Sequence, residues 1–342
     1  MKIFKIIPGI ILSCLIAVIS LWIESLFSVH IIGASVIAMF IGILLNSFLN
    51  KTEVFDLGTK FTSKKILKFA IILLGLSLNV NTIFQVGKMS LLVMVFTLLT
   101  CFGGGYFIGK ALKLNWKLSN LISAGTGICG GSAIAAIAPT IEADNNDVAY
   151  AMSATFLFDM LMIILFPIIG RAIGMSDEAF GLWAGTAVND TSSVVATGYA
   201  FSEAAGDFAT MVKLTRTLCI IPTVVVFAFI NLGIKRKNAK IEGLNERDLK
   251  ANFSIKKIFP WFILGFVLMS VIASVFTIPE SFVVHTKTLS KFLMVSALAA
   301  IGLNTSFSSI KKSGIRPMVH GFIISALVVV VALVVEMIMG IV

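Results

Sequence analysis

Eleven apolar stretches of about 18–25 residues follow one another along the chain, near 6–26, 31–49, 66–84, 89–109, 119–139, 147–170, 179–199, 209–234, 258–278, 289–308 and 318–341. At about 1.5 Å per residue, each is long enough to cross a hydrocarbon core about 30 Å thick. In such a solvent every backbone N–H and C=O must be paired internally. The runs are continuous rather than alternating, which selects helices over barrel strands. The fold class to expect is an all-α polytopic membrane protein of about eleven segments, with residues 1–342 forming one integral membrane domain. Composition agrees. Hydrophobic residues make up 58% of the 342, charged residues 13%, and the mean hydropathy is +1.02. A soluble fold could not hide that much apolar surface. A soluble enzyme, a secreted disulfide domain and a disordered chain are therefore excluded. Lys2 and Lys5 before the first apolar run resemble a signal peptide, but further spans follow at once and the run reads as the first membrane helix.

The charge distribution orients the spans. With a cytoplasmic N-terminus and every segment crossing, 22 of the 27 basic residues fall on the cytoplasmic side and three (Lys88, Lys287, Lys291) outside. This positive-inside bias predicts the N-terminus inside and the C-terminus outside. The outer loops 140–147 and 200–208 carry Glu142, Asp144, Asp147, Glu203 and Asp207 and no basic residue. If the fifth and seventh segments were both re-entrant, the split would become 21 to 4, so both topologies stay open. The loop 235–257 holds eight basic residues and reads as a cytoplasmic linker that also anchors to lipid. The net charge of +10 serves topology and anionic headgroups, not nucleic acid, because no basic helix or stacking platform accompanies it.

Two segments resist burial as plain helices. Gly125-Thr126-Gly127-Ile128-Cys129-Gly130-Gly131-Ser132 carries four glycines, a poor helix centre. A break there exposes backbone N–H groups at the start of the second half, where the dipole favours an anion. Asn189-Asp190-Thr191-Ser192-Ser193 puts five polar residues in a row inside the seventh span. Such a row must be enclosed by protein or unwound around water. Discontinuous helices are predicted near 125–132 and 186–193. An offset of 60 overlays 124–155 on 184–215, matching Ser132 with Ser192 and Asp147 with Asp207. A weaker echo pairs Lys68-Phe69 and Gly75-Leu76-Ser77 with Lys291-Phe292 and Gly302-Leu303-Asn304. Both suggest the internal repeats common in transporters.

Ionisable residues at membrane depth mark function. Lys213 and Arg216, at i,i+3, share a helix face. They either pair with Asp190 or Asp159 or coordinate an anion, and the two can alternate during transport. Asp159 either pairs with Arg216 or takes up a proton. Asn79, Asn81, Asn304 and Thr305 are further polar groups at depth. Glu24 and Glu336, nearer span ends, read as interfacial. Cys14, Cys101, Cys129 and Cys219 lie in apolar runs and read as small hydrophobes. Pro8, Pro167, Pro222 and Pro260 read as kinks. No Walker motif, membrane-protease motif or mid-span His is present, which speaks against an enzyme.

The stretches Gly127–Ala136 and Ala184–Ser193, with Ala204-Ala205-Gly206-Asp207, Val212-Lys213-Leu214-Thr215-Arg216 and Ile301-Gly302-Leu303-Asn304-Thr305, closely resemble the pattern of the bacterial YeiH-type membrane protein family, over essentially the whole chain. Members are often labelled sulfate exporters. The resemblance implies an inner-membrane secondary transporter with inverted repeats and crossed broken helices, similar to bile-acid symporters and cation/proton antiporters. Those repeats are larger than a 60-residue unit. The family pattern often has His where this chain has Asn189, which removes a proton-handling group.

The function to expect is secondary transport of a small anion (sulfate, sulfite or a sulfonate), coupled to H⁺ or Na⁺. Gly127, Cys129, Gly130, Gly131 and Ser132 would bind it through backbone. Lys213 and Arg216 would supply charge, and Asn189, Thr191, Ser192, Ser193 and Asn304 neutral hydrogen bonds. Asp159 and Asp190 would couple to the driving ion. Arg216→Gln is then expected to abolish transport with the fold intact. A cation/proton antiporter using Asp159 and Asp190 and a passive anion channel are the alternatives. No metal, cofactor or catalytic residue is expected. The partners are the anion, the coupling ion and lipid, with a homodimer left open.

Overall fold

The computed structural model of the protein describes residues 5–26, 34–48, 53–242, 260–305 and 314–342. Among them every regular element is helical. The order is α1 (Ile7–Leu26), α2 (Ala34–Phe48), α3 (Glu53–Phe61), α4 (Leu67–Leu74), α5 (Val80–Leu99), α6 (Gly105–Ala111), α7 (Trp116–Ala124), α8 (Gly131–Ile137) and α9 (Asn145–Ala172). Then come α10 (Asp177–Ala187), α11 (Thr191–Phe201), α12 (Glu203–Leu218), α13 (Ile220–Glu242), α14 (Trp261–Val275), α15 (Glu280–Asn304) and α16 (Ile315–Ile338). Single wide turns, Thr62–Ile66, Thr100–Gly104 and Gly125–Cys129, join α3 to α4, α5 to α6 and α7 to the break before α8.

Six of the described stretches are long and apolar enough to cross a membrane: Ile7–Leu26, Val80–Ala111, Asn146–Ala172, Glu203–Lys237, Glu280–Asn304 and Ile315–Ile338. Their outer faces carry exposed Leu15, Trp22, Phe107, Val275 and Ile338, as lipid contact requires. The structure thus gives an all-helical membrane architecture but not eleven uninterrupted spans. The expected second and ninth spans correspond to the shorter Ala34–Asn46 and Trp261–Val275. The third differs in register. Its helix starts at Glu53, inside the expected loop, and residues 80–84 already belong to α5. In the charged stretch after 53 the small residues Gly58, Thr59 and Thr62 pack inward, Gly58 against Gly9 of α1, while Val54, Leu57 and Phe61 face outward. The 235–257 loop is also shorter than expected, since α13 runs to Glu242. Its remainder, with residues 31–33, 49, 258–259 and 306–308 of the expected spans, lies outside the described residues.

The helices sort into two packed groups. One contains α1–α4, α14 and α15; the other contains α5–α13 and α16. Direct packing between them is sparse, made by α2 and α15 on α11 and by α14 on α5. Within the first group backbones meet closely through glycines. A methyl added at Gly302 on α15 would sit 2.1 Å from the Met39 carbonyl oxygen on α2, and one at Gly42 would sit 2.4 Å from that of Ala299. Small residues let helices in lipid gain dispersion contacts that larger ones would block.

Gly302→Ala is expected to cost about 1–3 kcal/mol through overpacking, read as a lowered thermal unfolding midpoint of the detergent-solubilised protein. Gly103→Ala, where an added methyl meets nothing within 4 Å, is expected to leave that midpoint unchanged.

Candidate functional site

Two interrupted helices meet in the second group. After α7 the chain makes its wide turn and then reverses at Gly130, with φ 62° and ψ −132°. A left-handed residue of this kind favours glycine. The space allows nothing larger, because an added methyl would lie 2.8 Å from both Cβ and Oδ1 of Asp190. That contact joins the two breaks. The second break runs through Val188, Asn189 and Asp190, between the end of α10 and the start of α11. Asp190 caps α11: its Oδ2 accepts from the Ser192 N–H at 2.9 Å and from the Ser192 hydroxyl.

Asp159, on α9, is buried beneath this second break. Its Oδ1 accepts the N–H of Asn189 and its Oδ2 the N–H of Asp190, both at 2.9 Å. One carboxylate therefore satisfies two backbone donors that the break frees, beside the positive end of α11. Asn189 is fully buried. Its amide nitrogen reaches Ser325 Oγ at 3.4 Å and the Thr155 carbonyl at 3.5 Å, while its Oδ1 has no hydrogen-bond partner.

Lys213 and Arg216 answer the opposite ends. Both are fully buried on α12. Lys213 Nζ donates to the Val188 carbonyl at 2.8 Å. Arg216 donates to three carbonyls: Gly127 at 2.7 Å, Thr126 at 2.6 Å and Val188 at 3.3 Å. The cations thus tie the carbonyl ends of α7 with its wide turn and of α10 to one strut, where the helix dipole favours positive charge. The expectation gave them either an ion pair with Asp190 or Asp159 or an anion to coordinate. In this structure they donate to backbone carbonyls, and neither takes part in the ion pairs found among the described residues.

A cavity of about 920 Å³ lies between the two helix groups. Of the expected site residues, Gly131, Ser132, Asp159, Asp190, Thr191, Ser192 and Asn304 line it. Gly127, Cys129, Gly130, Asn189, Ser193, Lys213 and Arg216 do not; they build the scaffold behind it. Asn304 accepts a hydrogen bond from Thr59 Oγ1 at 2.8 Å at the end of α15. The facing wall holds residues that sequence reasoning placed in a loop, Ser63, Lys64 and Lys68. The signal that could have found them was the i,i+4 lysine spacing running straight into an apolar helix.

A second polar cluster joins the groups nearer the other end of α15. Lys287 pairs with Glu203 at 2.9 Å and with Asp207 at 2.8 Å, Lys291 pairs with Glu203, and the Tyr199 hydroxyl donates to Asp207 at 2.5 Å. Sequence reasoning treated these charges as loop residues. One further expectation changes. Glu336, read as interfacial, is fully buried with neither carboxyl oxygen hydrogen-bonded, and His320 is buried against Ser119 and the Gly105 carbonyl. Cys101 and Cys129 are buried, Cys14 and Cys219 partly so, and all four are free thiols.

Residues 8–321 match the family described as "Conserved hypothetical protein 698". The chain belongs to this family. A "UPF0324 membrane protein" of Clostridium tetani is 56% identical over 97% of both chains. Relatives of the same name from Streptococcus pyogenes serotype M3 and Streptococcus mutans are 42% and 40% identical, over 98% and 99% of this chain and 97% and 98% of theirs. The resemblance to the YeiH-type family holds on this footing. No solved structure matches. The chain is thus a membrane protein with several apolar helices from a family whose printed names state no activity.

Removing Arg216 takes the side-chain donor from two buried carbonyls, Gly127 and Thr126, while Val188 keeps Lys213. Arg216→Gln is now expected to destabilise the protein by about 1–3 kcal/mol for each of these carbonyls, read as a fall in unfolding midpoint before any question of transport arises.

Proposed function

We propose that the chain is a secondary transporter whose substrate site is the 920 Å³ cavity between the two helix groups, and that its substrate is a small anion. The observation that carries this reading is the polarity of the two breaks. Both half-helix starts, Gly131-Ser132 and Thr191-Ser192, line the cavity; the second is capped by Asp190, whereas the first has no side-chain cap, and its leading N–H groups lack partners within the helix. The carbonyl ends that could coordinate a cation are held by Lys213 and Arg216. Asp159 and Asp190 do line the cavity, so a cation/proton antiporter remains the second reading. Their oxygens, however, accept hydrogen bonds from Asn189, Asp190 and Ser192.

The charged cluster supports alternating access over a passive channel. Lys287 lies 17 residues from Asn304 along α15, about 25 Å at the helical rise. The cluster ties the groups at one level while the cavity separates them at the other. With the N-terminus inside, the cavity is on the cytoplasmic side and the cluster closes the outside. The architecture proposed is an eleven-segment, inverted-repeat transporter of the bacterial inner membrane, with the two breaks facing each other at its centre. Sulfate, sulfite or a sulfonate, driven by H⁺ or Na⁺, is the substrate range we propose, and no catalytic role is assigned.

The test is charge movement on proteoliposomes adsorbed to a solid support, jumping from chloride to sulfate, sulfite, taurine or a dicarboxylate at two pH values. A saturable current with one anion is expected, reduced about tenfold or more by Ser132→Leu, which fills the cavity beside α8. Currents on Na⁺ or pH jumps alone would move the reading to antiport through Asp159 and Asp190.

A further inference from the structure

We infer that Lys64 and Lys68 hold the charged head of an organic anion, whose apolar part lies against the same cavity's aromatic and aliphatic wall. The inference rests on the reading of this cavity as the substrate site and names what binds there.

The two lysines stand one turn apart on the helix that α3 and α4 form across the turn Thr62–Ile66, so their side chains share a face. Both are exposed and both line the cavity. Neither makes an ion pair among the described residues, whereas Lys60, Lys235, Lys287 and Lys291 each have a carboxylate partner. The carboxylates that do line the cavity are engaged elsewhere. Asp159 bridges two backbone donors, and Asp190 caps α11. The cavity therefore presents two lysine ammonium groups that no carboxylate meets at ion-pair distance among the described residues, although Asp159 and Asp190 share the cavity. A bound anion supplies that partner.

The neighbours of the lysines define the rest of the ligand. Lys68 Nζ sits 5.4 Å from the centroid of Phe262 on α14, a cation–π contact that fixes the ammonium beside an aromatic face. Ile71, Phe156, Ile220 and Ile301 continue that wall. A hydrated inorganic dianion would surrender water here and gain nothing from the apolar side. An anion carrying a short hydrocarbon body uses both features. The cavity volume falls within the range of sites for organic ligands, about 300–1,000 Å³.

Binding to the full-length protein in lipid nanodiscs is measured by calorimetry, with butanesulfonate and sulfate as probes. Butanesulfonate is expected to bind about tenfold more tightly than sulfate, Lys68→Gln to weaken it about tenfold, Lys64→Gln to weaken it less, and Lys68→Arg to restore it. The unfolding midpoint without ligand is expected to be nearly the same in all four proteins, because both lysines are exposed and the one contact described for them is that of Lys68 with the Phe262 ring. Equal butanesulfonate affinity in Lys68→Gln and the unaltered protein would overturn the assignment to the lysines. Tighter binding of sulfate would overturn the organic anion, and binding of neither anion would overturn both. Butanesulfonate binding that depends on Lys68 but produces no current would leave this inference standing and remove the transporter reading.

Discussion

Inside an apolar solvent an interrupted helix is a liability, because each interruption frees backbone donors on one side and acceptors on the other. Everything around the candidate site follows from how this chain meets that constraint twice. The acceptors go to Lys213 and Arg216, which reach Val188, Thr126 and Gly127 from a single helix. The donors of the second break go to Asp159 and Asp190. Each charge sits at the helix end whose partial charge it opposes. The buried ions are thus neutralised by peptide dipoles more than by one another, which explains why four ionisable groups crowd together without an ion pair between them.

This arrangement also divides labour. Charges behind the breaks are structural, while the half-helix starts and the lysines of the opposite wall are left to face the cavity. The larger energetic stake lies in the hidden set, because stranding a buried carbonyl or charge costs several times what an exposed contact gains.

Both breaks were legible in the sequence. Four glycines in 125–131 and five consecutive polar residues in 189–193 violate helix preference and burial together, and local signals of that kind survive without knowledge of neighbours. The pairing of Lys213 with Arg216 on one face was legible for the same reason. Their role was not, because a carbonyl acceptor leaves no mark on side-chain identity; sequence reasoning searches for carboxylates and found Asp190 and Asp159. Lys64 and Lys68 were hidden differently. A window that scores hydropathy counts lysines as loop, whereas a helix can carry them on one face while its other face packs on α15. Of the eleven apolar segments expected, six described stretches are long and apolar enough to cross a membrane, because interruptions and short helices divide the rest.

The contact between Gly130 and Asp190 has a mechanical consequence. With one break packed so closely on the other that a single added methyl at Gly130 would clash with Asp190, and α12 hydrogen-bonded to both, the crossing resists opening from within. It is a stiff carriage. Any motion that carries the cavity from one face of the membrane to the other must be taken up at the thin seam against α2, α14 and α15. On the transport reading, the ligand pocket keeps its shape on the carriage side throughout the cycle, and only the opposing wall changes register.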